Sequence, residues 1–118
     1  MKDKYRILIA NDKYLTRWSL SSILSKDGYL IDVAGNGKEA VNLIKTSSFD
    51  LVITDIILPG WNIVEESIKR KVRLIVIVRR GSIFNKKIAT NKGVFNYIEK
   101  PIIGHEVKRA VNEALNYS

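Results

Sequence analysis

The chain has 118 residues, 46% of them apolar and 27% charged, and it contains no cysteine. That is one domain's worth of chain with enough apolar side chains for a packed core, so disorder is excluded, as are a disulfide framework, a thiolate metal site and a thiol nucleophile. The formal net charge of +8 raises nucleic acid or another acidic partner as a question that the placement of the charges must answer.

Lys2, Asp3 and Lys4 lead directly into a strand-like run, which is not the pattern of a signal peptide. The longest apolar runs fall far short of the ~20 residues a membrane span needs. The expectation is a soluble cytoplasmic domain with no membrane partner. Ile7-Leu8-Ile9-Ala10 reads as a buried strand. Thr16, Leu20, Ile23 and Leu24 then fall on one helix face, and Gly28 is placed to stop that helix. Residues 29–34 read as a second strand, and Asn36-Gly37 precedes a helix carrying Ala40, Val41, Leu43 and Ile44. Leu51-Val52-Ile53 is a third buried strand ending at Thr54-Asp55. Beyond Pro59-Gly60, Ile63, Val64 and Ile68 predict a short helix. Residues 74–78 form the clearest strand, and the basic segment 83–92, closed by Gly93, reads as a helix. Residues 94–98 read as a fifth strand, after which Val107, Ala110, Val111, Ala114 and Leu115 define a last helix.

The pattern is βα repeated five times, with strands apolar on both faces. It implies an α/β fold, a parallel sheet covered by helices on both sides. No linker, repeat or low-complexity tract interrupts it, so residues 1–118 read as a single domain. Sheets of this kind bind ligands beyond the carboxyl ends of their strands. Asn11-Asp12 ends the first strand, Asp55 the third and Arg79-Arg80 the fourth, while Lys100-Pro101 follows the fifth. Carboxylate and amide oxygens suit a hard octahedral cation, of which Mg2+ is the natural candidate. A carboxylate beside such an ion and an ammonium is poised to meet a phosphoryl group, because its repulsion is neutralised from both sides.

Four segments in order, ILIAND (7–12), AGNGKEA (34–40), DLVITDIILPG (50–60) and YIEKPI (97–102), resemble two-component response-regulator receiver domains over nearly the whole chain. The resemblance implies a (βα)5 flavodoxin-like, doubly wound five-stranded sheet of order 2-1-3-4-5. It makes Asp55 the phosphoacceptor, Asp12 a direct Mg2+ ligand, and the carbonyl of Ile57 the backbone ligand. Asn11 then stands where a residue holds the metal through water, and Lys100 matches the lysine that contacts the phosphoryl oxygens. Pro101 is expected after a cis peptide, and Tyr97 matches the aromatic whose rotamer reports activation. The implied donor is a histidine kinase or phosphotransfer protein, followed by slow self-dephosphorylation. The implied output surface runs from the fourth strand to the fifth helix, toward a downstream protein or an effector domain elsewhere in a longer regulator.

Three positions depart from the family pattern. Asn11 replaces an acidic residue, although its amide oxygen can still accept from a metal-bound water. Arg79 replaces the switch Thr or Ser; it can reach a phosphoryl group as a bidentate donor, lie across Asp12 and Asp55, or point to solvent. Asn62-Ile63, after Trp61, stands where Asp-Gly is usual, and the short spacing from Asp55 to Arg79 predicts a truncated third helix. Asn11 and Arg79 together support an alternative, a pseudo-receiver that serves as an interaction module and no longer switches by phosphorylation. A flavin binder on the same strand order would want a Ser/Thr/Gly-rich loop where Asn11-Asp12-Lys13-Tyr14 stands, and is discounted.

Leu15 and Trp18 lie off the core stripe of the first helix, as a partner site or as a cover over the core edge. Lys69, Arg70, Lys71 and Arg73 fall at the end of the sheet opposite the acidic site, whereas Arg79, Arg80, Lys86, Lys87 and Lys92 fall at or after its carboxyl end. They form no single stripe and no aromatic residues interleave them, so they read as solvated surface rather than a nucleic-acid face. His105, the one histidine, reads as a surface or capping residue.

Overall fold

Short apolar runs become strands and helically spaced ones become helices in the computed structural model, which describes residues 4–55, 62–81 and 94–116. Along the described residues the order is β1 (Arg6–Ala10), α1 (Tyr14–Ser25), β2 (Leu30–Ala34), α2 (Gly37–Thr46), β3 (Leu51–Asp55), α3 (Asn62–Lys69), β4 (Arg73–Val78), β5 (Asn96–Glu99) and α4 (Gly104–Asn116). The helix expected over 83–92 lies outside the described residues, as do Gly93, Ile57, Pro59-Gly60 and Trp61. Every neighbouring strand pair is parallel, and the order across the sheet is β2-β1-β3-β4-β5. Among the described residues no helix is long and apolar enough to cross a membrane.

Strand alternation sorts the apolar residues into two cores. Ile7 and Ile9, Leu51 and Ile53, and Ile75 and Ile77 face one side, where Leu20 and Leu24 of α1 and Val107, Ala110, Val111 and Ala114 of α4 cover them. Leu8 and Ala10, Val52, and Leu74, Val76 and Val78 face the other, against Ala40 and Ile44 of α2 and Ile63 and Val64 of α3. Each fully buried aliphatic side chain contributes about 1.5–3 kcal/mol relative to exposure, so these two layers hold the three central strands in register.

Three expectations need correction. Ile68 does not face the core: it is exposed, and Ser67 is buried in its place. With Ile63 and Val64 inward, Ser67 falls on the same face and Ile68 turns away. The Ser67 hydroxyl is satisfied by donating to the Ile63 carbonyl at 2.7 Å. The rule of strands apolar on both faces also fails at β2, an edge strand on which Leu30 and Val33 are exposed. β5 starts later than the sequence predicted, because pairing with β4 begins at the Ile75–Asn96 register pair.

The amino-terminal end of the sheet is tied by charged groups. Arg6 pairs with Asp32 at 2.6 Å, lies over the Phe49 ring at 4.9 Å, and donates its backbone N–H to Asp50 Oδ2 at 2.8 Å. Arg73 donates to the Ala114 carbonyl near the end of α4 and lies over the Phe95 ring at 5.2 Å. Gly28, in the turn between α1 and β2, has φ +86°, which only glycine adopts without strain.

Candidate functional site

Because the strands are parallel, their carboxyl ends meet at one edge of the sheet. Ala10 and Thr54 are register partners on β1 and β3, so the next residues, Asn11 and Asp55, stand side by side. Asp55 is 6% exposed and Asn11 is fully buried. Asn11 Nδ2 donates to Asp55 Oδ2 at 3.4 Å. Lys100 follows β5, two strands from β3, or roughly 10 Å by ordinary sheet spacing. Its backbone N–H donates to the Val78 carbonyl at 2.9 Å, which holds it against the end of β4. From there the side chain reaches across, and Nζ forms an ion pair with Asp55 Oδ2 at 3.1 Å. The Lys100–Pro101 peptide is cis.

Asp12 lies one residue beyond Asn11 and is exposed, on the solvent side of the same edge. A buried carboxylate, an exposed carboxylate, an amide and an ammonium therefore share this end of β1, β3 and β5. Among the described residues no group of three or more His, Cys, Asp or Glu side chains gathers to hold a metal. Two carboxylates nevertheless fit Mg2+ in kind, since that ion keeps several waters and binds through one or two carboxylates. The carbonyl of Ile57 lies outside the described residues.

Arg79 follows Val78 at the end of β4 and is exposed. Among the described residues no ion pair joins it to Asp12 or Asp55, so Arg79 does not lie across the acidic pair. Tyr97 sits on β5 and is partly exposed. On α1, Tyr14, Leu15 and Trp18 are exposed, as expected for the last two. His105 is exposed at the start of α4.

Two contributors escaped the sequence reading. Arg17, on α1, donates Nη1 to the Asn11 carbonyl at 2.8 Å and lies over the Tyr14 ring at 5.8 Å. A Cβ added to Gly35 would come 3.4 Å from the same guanidinium, so the bare glycine leaves space where Arg17 runs between two site loops. Gly35 was the available signal, but in the sequence it reads merely as part of a turn. Glu99 accepts the Gly81 backbone N–H at 3.2 Å and so ties the turn after β4 to β5. On the neighbouring loop, Asn36 accepts from the Glu39 N–H at 2.8 Å and Glu39 accepts from the Gly35 N–H at 3.2 Å, a reciprocal cap that starts α2.

The profile of the response regulator receiver domain family matches residues 7–112. The transcriptional regulatory protein CusR of Escherichia coli is 30% identical over 115 residues, covering 93% of this chain and 51% of that protein. Sporulation initiation phosphotransferase F of Bacillus subtilis is 28% identical over 115 residues, covering 93% of each. This chain thus spans about half the length of the first relative and nearly all of the second. Among solved structures, a CheY-like receiver domain protein of Methanospirillum hungatei superposes with a TM-score of 0.87 at 27% identity, covering 97% of this chain and 95% of that one. The receiver domain of NtrX from Brucella abortus superposes with a TM-score of 0.86 at 26% identity, covering 95% and 99%.

Proposed function

The chain belongs to the response regulator receiver domain family, and from that premise we propose that it is a single receiver domain that accepts a phosphoryl group on Asp55. The observation that carries this reading is the buried Asp55 carboxylate held 3.1 Å from the Lys100 ammonium at the carboxyl edge of the sheet. In the proposed transfer, an Asp55 oxygen attacks the phosphorus of a phosphohistidine on a histidine kinase or phosphotransfer protein. The P–N bond breaks, its electron pair returns to the imidazole, and an acyl phosphate forms on Asp55. Lys100 is placed to follow charge from the carboxylate to the phosphoryl oxygens. Asp12, Asp55 and the Ile57 carbonyl are the groups that would hold Mg2+, which supplies positive charge to offset repulsion between the carboxylates and the phosphoryl group. Tyr97 on β5 is the residue whose side chain would register the modified state, and Arg79 at the end of β4 occupies the switch position.

The occupied state is proposed to reach a downstream protein or effector domain through β5, α4 and the segment before them, in the cytoplasm. CusR, a transcriptional regulatory protein about twice the length of this chain, supports an effector domain elsewhere in a longer protein as the output. The rival reading, a pseudo-receiver, draws on the neutral Asn11 and on Arg79. Its variant with Arg79 locked onto the acidic pair lacks support in an exposed Arg79.

Intact mass after incubation with acetyl phosphate, and with a panel of phosphorylated phosphotransfer proteins, tests the reading. The expected result is a gain of one phosphoryl group that requires Asp55 and vanishes in Asp55→Asn. No gain from any donor, with the wild-type chain folded, favours the pseudo-receiver.

A further inference from the structure

Asn11 has a partner at each polar end. Its backbone N–H donates to the Ala34 carbonyl at 3.1 Å, and its carbonyl accepts from Arg17 at 2.8 Å. In the side chain, Oδ1 accepts the Lys13 N–H at 2.8 Å. An amide nitrogen cannot accept that hydrogen bond, so this contact decides which end of the carboxamide is which. The NH2 end therefore faces Asp55, where an acceptor stands 3.4 Å away. Both contacts agree on one orientation, and a fully buried side chain held at both ends has little freedom to turn over. A cation, or a water bound to one, needs a lone pair from this position, and the end of Asn11 that faces Asp55 presents hydrogens instead. The expectation that Asn11 holds a metal-bound water through its oxygen runs against this arrangement.

We propose that Asn11 is a built-in hydrogen-bond donor to Asp55, and to the phosphoryl group carried there, doing part of the work that an acidic residue at this position would delegate to a divalent cation. The inference rests on Asp55 being the phosphoacceptor. Replacing a carboxylate with an amide removes one negative charge beside Asp55, which weakens cation binding. The N–H that replaces it stabilises negative charge on Asp55 directly and lowers the need for the metal. Asn11 is thereby the residue that sets how strongly this site depends on Mg2+.

The two substitutions Asn11→Asp and Asn11→Ser separate this role from that of a turn residue, because both leave an oxygen that can accept the Lys13 N–H. The Asp variant exchanges the donor for a charge; the Ser variant adds no charge, and its hydroxyl ends one bond short of the lost Nδ2, so it withdraws the donor from Asp55 by length. The first readout is Tm of the full chain titrated with Mg2+ alone, without a phosphoryl donor. Without divalent cation the Asp variant is expected to melt below wild type, since two carboxylates then face each other. Mg2+ raises its Tm further than it raises that of wild type, with a Kd tighter by about tenfold or more. The Ser variant is expected to keep a Mg2+ Kd within about threefold of wild type, because the charge is unchanged. The second readout is the ratio of initial phosphoryl uptake rates from acetyl phosphate in Mg2+ and in chelator. That ratio is expected to be larger in the Ser variant than in wild type by about tenfold.

Identical Mg2+ titrations and metal-free Tm values for wild type and Asn11→Asp would overturn the proposal and leave Asn11 as the acceptor of a turn. An unchanged rate ratio in Asn11→Ser would overturn it too, and this decides the matter should the Asp variant fail to fold. If the wild-type chain takes up no phosphoryl group, the phosphoacceptor reading fails, whereas the Mg2+ titration still tells whether Asn11 or a charge faces Asp55.

Discussion

The two ends of the sheet use charge in opposite ways. At the amino-terminal end, Arg6 and Arg73 are each consumed by fixed partners. Arg6 takes Asp32, the Phe49 ring and, through its backbone, Asp50, while Arg73 takes the Ala114 carbonyl and the Phe95 ring. These groups tie strand starts to the ends of neighbouring elements. At the carboxyl end, a nearly buried Asp55 meets Lys100 and an amide, with Asp12 exposed beside it. Asp55 there is desolvated, a cost that the Lys100 ammonium and the Asn11 amide offset in part. The comparison teaches that charged groups matched to fixed partners make a clamp, whereas a nearly buried carboxylate between an ammonium and an amide, with a second carboxylate exposed beside it, makes a candidate site.

Substitutions at the two ends should therefore separate activity from stability. The largest effect is expected for Lys100→Met, which should slow phosphoryl uptake at Asp55 by about 10²-fold in a single-turnover assay, with a small change in Tm. A Tm loss as large as those at the opposite end, with uptake intact, would make Lys100 another clamp and break the contrast. Arg73→Ala should cost about 1–3 kcal/mol, through a lost charged hydrogen bond and lost packing on Phe95. Urea denaturation would register this, and uptake by the folded fraction should stay at the wild-type rate. Gly28→Ala comes next, at about 1 kcal/mol, because its φ of +86° strains any side-chain-bearing residue even though nothing crowds the added methyl.

The smallest effect concerns Glu66, whose carboxyl is held below the usual glutamate range by its hydrogen bond from Arg70, with the Arg70 charge adding to this and partial desolvation opposing it. A lowered folded-state value means that the contribution is present above the ordinary glutamate pKa and is lost as pH falls through the lowered one. Glu66→Gln should thus lower Tm slightly at neutral pH and converge on the wild-type curve in acid, which flattens the acid limb. A change as large in acid as at neutral pH would show that Glu66 acts through something other than its charge.

Much of this was readable from the chain alone. The runs 7–10, 51–53 and 74–78 are apolar at every position, and such a run flanked by helical spacing has few homes besides a two-sided parallel sheet. Once the strands run parallel, the residues after them must converge, so Asp55, Asn11 and Lys100 were legible as neighbours before any distance was known. Ile68 was not legible, because spacing alone does not say which of two adjacent positions wins the inward face, and a serine that bonds its own helix competes well for it. β2 was legible as a strand, but Leu30 and Val33 depart from the two-sided apolar rule because an edge strand has no neighbour to cover it on one side.

The sequence by itself determined the strands, the helices among the described residues and the set of groups at the carboxyl edge, since periodicity and parallel connection are local and topological facts. Tertiary structure alone decided which way those groups point. Asn11 turns its NH2 toward Asp55 because a backbone N–H two residues on takes its oxygen, while the Ala34 carbonyl and Arg17 guanidinium, far from it in the chain or on the next helix, hold its backbone. Arg79 faces solvent and Lys100 reaches inward, although both are long cations at strand ends. Composition does not distinguish them; the direction of a side chain is settled by the neighbours that folding brings to it.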